Sequence, residues 1–213
     1  GASDSTDGSD STDGADSTDG ADSTDSTDAV DGSDSTDGLD LVVPEGCNPL
    51  GSGGDCFMPY PSDVFLEASA ETTSGKRLHI PGPALPTHNN GSPLDVNRAW
   101  PSDGFTVAPT LLALFPEGVD PKHEVRYGTD LTASVADDSE TLIIDAETGK
   151  RILHVAELDP RAESDAVRVL ILRPQVRLEN ARRYVAIIRG LTTPGGKAVA
   201  ASPAYAALRD GKA

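Results

Sequence analysis

The clearest order in the chain lies in its second half, where apolar residues recur in short runs interrupted by proline, glycine and acids. Thr110–Phe115 reads TLLALF and stops at Pro116. Thr141–Asp145 (TLIID) and Arg151–Val155 (RILHV) flank a Glu-Thr-Gly turn, which predicts a β-hairpin. In AVRVLILRP, Val167, Val169 and Ile171 alternate with Arg168, Leu170 and Leu172, so the predicted strand has one face wholly buried and the other mostly so. RRYVAIIRGL places Tyr184, Ala186 and Ile188 on one strand face, with Val185 and Ile187 opposite. Strands of this kind, about ten to fifteen residues apart and joined by Pro/Gly turns, predict a mostly β chain with a β-sandwich over residues 110–213. A helix is predicted only at Ser202–Leu208, with Pro203 in its first turn.

Upstream the pattern weakens. Phe57–Leu66 (FMPYPSDVFL) carries Pro59 and Pro61 two apart, which prevents a helix and favours an extended edge segment. Residues 67–109, dense in Gly and Pro, predict irregular chain wrapped on a surface, with one short strand at Arg77–Ile80. Within them WPSDGF predicts a tight structural turn: Asp103 caps the backbone at Gly104 while Trp100 and Phe105 pack beneath. The competing reading of those aromatics is a ligand platform.

The first 45 residues are a different object. Aspartate falls at every third position from Asp4 through Asp40, and thirteen Asp plus Glu45 with no Lys or Arg carry −14 of the chain's −18. Up to Gly38 the only sizeable apolar residue is Val30. Such a tract buries too little to offset the roughly 1–2 kcal/mol per residue that ordering a backbone costs, so residues 1–45 are expected to be a disordered, low-complexity tether. In a polyproline II conformation its carboxylates would line one edge, about 9 Å apart, repelling one another into extension. Calcium loops need alternating ligands closed by a bidentate Glu, and this tract has neither, so weak, non-specific cation association is expected and no metal site. A calcium-sensing tail is the sharper rival reading. Ser and Thr between the acids are candidates for glycosylation or phosphorylation.

Cys47 and Cys56 lie in CNPLGSGGDC, where Gly, Pro and Asn let the backbone turn back and bring the sulfurs together. A disulfide is expected, hence an oxidising, extracytoplasmic compartment; the alternative is two buried thiols in a cytosolic protein. Zinc would need two more ligands, and the nearest histidine is His79. Residues 46–109 thus read as a disulfide-pinned extended entry to the sandwich, forming one folded unit with it.

Little in the chain suggests catalysis. There is no G-x-S-x-G nucleophile elbow, P-loop, H-E-x-x-H or dinucleotide fingerprint. His79, His88, His123 and His154 are scattered, and His154 reads as a packed strand residue. Asp137–Asp138 beside Ser139 reads as a solvated turn rather than an acid–base pair. No cofactor is expected, and the charge pattern argues against nucleic acid. No apolar run approaches a membrane span, and a chain beginning Gly-Ala-Ser-Asp reads as a processed form or a piece of something larger.

MPYPSDVFL followed by SDGFTVAPTLLALFP resembles the N-terminal domain of bacterial virulence-factor lipases and related extracellular α/β-hydrolases. The positions that carry the likeness are Pro59, Tyr60, Pro61, Ser62 and Asp63, then Asp103, Gly104 and Phe105, with Thr106 where the family usually has Ser. DDSETLIIDAETG and VRVLILRPQVRLENARRYVAIIRGLTTPGGKAV are similar to bacterial Ig-like domains of the surface-layer type. The acidic start resembles the tether that follows the lipidated Cys of bacterial lipoproteins. These resemblances imply an Ig-like sandwich and a non-catalytic accessory domain of a secreted or surface-anchored lipoprotein. The catalytic Ser, Asp and His of the accompanying ester hydrolase would lie downstream, and no residue here matches one. The implied partner is that hydrolase domain, with a membrane met only through an N-terminal lipid anchor. A free-standing surface binding or adhesion module using Trp100 and Phe105 is the alternative, and an enzyme in its own right the third.

Overall fold

The computed structural model describes residues 42–52 and 55–212. Of the tether expected over residues 1–45, residues 1–41 lie outside them, and so does the cation association expected there. Among the described residues strands outnumber helices and every sheet is antiparallel. Strands β1 (Leu66–Ala68) and β2 (Lys76–Leu78) pair with each other; β3 (Leu111–Leu114), β6 (Val169–Pro174) and β5 (His154–Leu158) form a second sheet in that order; β4 (Thr141–Asp145) and β7 (Tyr184–Ile188) form a third. Two short α-helices, α1 (Val96–Ala99) and α2 (Pro203–Arg209), and five 3₁₀ turns complete the set.

The second and third sheets share one apolar core, built on Ile143 of β4, Ala156 and Leu158 of β5, and Leu170 and Leu172 of β6. Central β6 packs inward through its leucines. Leu170 and Leu172 are fully buried, whereas Val167 is exposed and Val169 and Ile171 only half-buried. The expectation that one face of this strand is wholly buried and the other mostly so therefore needs correcting. The uniformly apolar Val/Ile face is the outer one, partly shielded, and it ends in an exposed valine.

The predicted hairpin forms only at its turn. The Asp145 carboxylate accepts the N–H groups of Glu147 (2.9 Å) and Thr148 (3.0 Å), an Asx-type turn closed by Gly149 in the left-handed region at φ 72°. Ile152 N–H still donates to Ile143 of β4, at 2.8 Å. One residue later the Leu153 carbonyl accepts Gln175 N–H at 2.8 Å, and from His154 the chain pairs with β6 instead. The predicted arm Arg151–Val155 is thus divided between two sheets. Crossing lets Val155 and Ala156 be fully buried and adds Ala156 and Leu158 to the shared core, a tertiary gain that turn chemistry does not report.

The Pro-rich entry segment runs along the free edge of β3. Tyr60 and Leu112 exchange N–H···O bonds of 2.9 and 2.7 Å, and the Met58–Pro59 and Tyr60–Pro61 peptide bonds are both cis. Instead of merely wrapping a surface, residues 56–96 fold round a small core of their own, Phe65, Ile80 and Ala84, with Phe57, Tyr60 and Leu78 against it. Phe57 stacks on Tyr60 with ring centroids 4.4 Å apart. The strand expected at Arg77–Ile80 lies at Lys76–Leu78, because Ile80 turns into this core. Cys47 and Cys56 are joined in a disulfide, a bond that oxidising, extracytoplasmic compartments sustain. At the other end Ser202 caps α2, and its hydroxyl donates to the Leu50 carbonyl at 2.9 Å, so the cysteine loop and the last helix are tied together.

This packing sets the expected cost of two kinds of change. Leu172→Ala should cost about 2–5 kcal/mol in denaturant unfolding, while Val167→Ala should stay below about 1 kcal/mol. Reducing the disulfide, or replacing both cysteines by Ser, should remove up to about 2–3 kcal/mol, the entropy of closing a ring of this size, read from the same unfolding curves.

Candidate functional site

The most site-like arrangement joins three segments that are distant in sequence. Residues Pro121–His123 form a 3₁₀ turn whose first N–H groups are capped by Asp120, which accepts from Lys122 N–H at 3.0 Å. The turn delivers the His123 ring into the interior, between Glu140 at the start of β4 and Thr192 beyond β7. Nδ1 lies 2.5 Å from Glu140 Oε2, and Nε2 lies 2.8 Å from Thr192 Oγ1. Thr192 N–H also points at Nε2, at 3.0 Å. A backbone N–H can only donate, so Nε2 keeps its lone pair, and Nδ1 carries the proton and donates it to Glu140.

Carboxylate, imidazole and hydroxyl in line are what a general base needs to activate a nucleophile. Here the lone pair that would take the hydroxyl proton already faces a backbone N–H. In this state the arrangement acts as a clasp, holding the 121–123 turn, the head of β4 and the loop after β7 together. Sequence reasoning missed it because His123 and Thr192 are 69 residues apart and no local pattern links them.

His154, read as a packed strand residue, is fully buried on β5. Its Nδ1–H donates to the Ile152 carbonyl (2.9 Å), and its Nε2 accepts the Thr141 hydroxyl (3.0 Å), a polar rung between two sheets. Burial lowers its pKa below the usual imidazole value, and the Ile152 contact only partly opposes that. Nearby, the backbone N–H groups of Thr148 and Glu147, with Arg182 behind them, hold the Asp145 carboxyl below the usual carboxylate range. Arg182 also pairs with Glu147 and Glu179.

The residues singled out in the sequence separate. In WPSDGF a bend does form at Asp103–Gly104, with Gly104 at φ 88°. Asp103, however, reaches across to another loop, accepting Thr73 N–H (3.0 Å) and Ser74 N–H (3.1 Å); the Ser74 hydroxyl first, and then these N–H groups, lower its pKa. Phe105 meets Tyr60 edge-on at 5.6 Å, but Trp100 stands 64% exposed, so only one of the two aromatics packs as expected. Asp137 and Asp138 point outward, with Asp137 paired to Arg151, while Ser139 turns in and donates to the Thr141 carbonyl. Cys47 and Cys56 are held near Asn48, whose side chain donates to the Pro59 carbonyl at 2.8 Å.

Among the described residues no group of three or more His, Cys, Asp or Glu is placed to hold a metal ion, and no helix is long and apolar enough to cross a membrane. An open cleft of about 440 Å³ lies between Pro109 and Arg177, with exposed Tyr127 at its rim held by Gln175 Nε2–H (3.1 Å).

The pH dependence of stability should separate into two windows. His154 has a folded-state pKa below its unfolded value of 6.5, so below that pH the unfolded chain takes up a proton that the folded chain refuses. Stability should fall as pH drops below 6.5, by at most about 1.4 kcal/mol per pH unit, and His154→Gln should flatten that slope in chemical unfolding curves. The Asp103, Asp120, Asp130 and Asp145 carboxyls are lowered from 3.8, so their contribution is present above that value and lost only in stronger acid. Comparison with protein-family models, with curated proteins and with solved structures finds no match for this chain.

Proposed function

We propose that this chain is a non-catalytic, extracytoplasmic accessory module that positions a partner of the ester-hydrolase class at a bacterial surface. The observation that carries this reading is how its groups are deployed. The polar atoms of the two buried histidines are engaged by neighbours inside the fold, whereas Trp100, Tyr127, Tyr205 and Leu208 are left outside, where a partner can meet them. Chemistry is turned inward and contact surface outward. The likeness of PYPSD and SDGFT to the entry domain of extracellular lipases agrees with that deployment, as does a disulfide in the entry. In this reading the two sheets with a common core are an Ig-like sandwich, and the aspartate tract is a spacer behind a lipid anchor.

The test is ester hydrolysis by the isolated chain. With a short-chain p-nitrophenyl ester, turnover should not exceed the uncatalysed rate, and Thr192→Ala should change nothing. Hydrolysis that disappears in Thr192→Ala would make the clasp an active site and overturn the reading. Reading the gene in frame on both sides tests the placement: a lipidation Cys upstream and a G-x-S-x-G downstream are expected.

A second reading, a free-standing surface binding or adhesion module, is favoured by the exposure of Trp100. Trp100 is the single tryptophan, so its emission is a clean probe. A blue shift on titration with oligosaccharides, absent in Tyr127→Ala if the cleft is involved, would move this reading into first place.

A further inference from the structure

Among the described residues, strand β7 is paired on one side only. The bonds Arg189 N–H to Glu140 O and Ala146 N–H to Arg183 O fix the register with β4. They turn the backbone groups of Arg183, Val185, Ile187 and Arg189 toward β4, and those of Tyr184, Ala186 and Ile188 away from it. No described residue hydrogen-bonds to that outward row. Tyr184 and Ile188 pack against the shared core, so the opposite face of β7 reads Arg183, Val185, Ile187, Arg189, with Val185 40% exposed. The result is an open sheet edge beside a short apolar stripe with an arginine at each end. Open edges of this kind are templates for an added strand.

Arg189 donates to the Ser139 and Asp137 carbonyls and so keeps its positive charge, while Arg183 meets the Asp63 carboxylate at 3.1 Å in an exposed pair. A second β7 laid antiparallel across this edge would set Arg183 opposite Arg189 of the other copy, a like-charge pair that disfavours it. A short apolar strand with acidic flanks fits instead. The chain contains such a stretch where its aspartate tract ends: Leu39-Asp40-Leu41-Val42-Val43, with Asp37 before it and Glu45 after it. It is five residues long, as β7 is, and period two would place Leu39, Leu41 and Val43 on one face, able to lie beside Val185 and Ile187. Val42 and Val43 stand 85% and 40% exposed.

We propose that the open edge of β7 is a docking site for the stretch Leu39–Val43 of a second copy of this chain. Reciprocal exchange closes a two-fold dimer in which each edge is filled once. This inference is independent of the accessory-module reading, because it concerns self-association and no hydrolase enters its test.

Sedimentation equilibrium of the full chain from micromolar to millimolar concentration reads it directly. A reversible monomer–dimer equilibrium is expected, weakened by salt, together with amide exchange at Tyr184, Ala186 and Ile188 that slows as concentration rises. Ala186→Pro removes an outward N–H that β4 does not use, and Leu41→Asp changes the docking stretch outside the packed body. Each should weaken dimerisation by about tenfold or more. If Ala186→Pro loses its folded circular dichroism spectrum, Leu41→Asp decides alone. A chain that stays monomeric throughout the range overturns the proposal, including one whose β7 amides are protected within the monomer. A dimer indifferent to Leu41→Asp overturns it equally.

Discussion

The hand-over of the chain between two sheets at Ile152 and Leu153 is the constraint on which the rest of the body depends. Ile152 bonds back to β4 while Leu153 already bonds forward to the segment after β6. Because that exchange happens within two residues, the sheets cannot slide or separate without breaking backbone hydrogen bonds next to the most deeply buried part of β5. It fixes which residues face one another, and so why Leu170 and Leu172, rather than the Val/Ile face of β6, make the core.

Buried polar groups mark the limits of that core. His154 and Thr141 meet at its margin, and the neighbouring Ser134 and Ser139 are satisfied by the main chain, Ser134 accepting His154 N–H and Ser139 donating to the Thr141 carbonyl. A buried group left without a partner costs more than a made bond contributes, so these groups penalise any register in which they miss one another. The His123 clasp does the same for loops. It ties the approach to β4 to the exit from β7, and the Asp120 N–H to Thr192 O bond (2.8 Å) reinforces it.

Much of the fold was legible in short-range pattern. Strands 111–114, 141–145, 169–174 and 184–188, the terminal helix with its proline, the edge role of the Pro-rich entry and the disulfide each follow from spacing and residue type. The failures have one cause. RILHV looks like the return arm of a hairpin because its turn chemistry is local, while the decision to cross is made by burial against β6. WPSDGF looks like a self-contained turn, yet its carboxylate is claimed by residues some thirty positions upstream. The His123 clasp left no trace at all, since its members become neighbours only after β4 and β7 pair. The alternation that located β7 was equally silent about which of its edges would stay open.

The bond from Ser202 to Leu50 spans 152 positions and brings the entry of the body beside its exit. Mechanically, the body then hangs beside the line of the chain instead of in it. A pull applied between the cysteine loop and the end of the last helix loads this single contact and the Tyr60–Leu112 pairing first. Those outer fastenings shield the shared core only while they hold; once they yield, the force passes along the chain through the two sheets themselves.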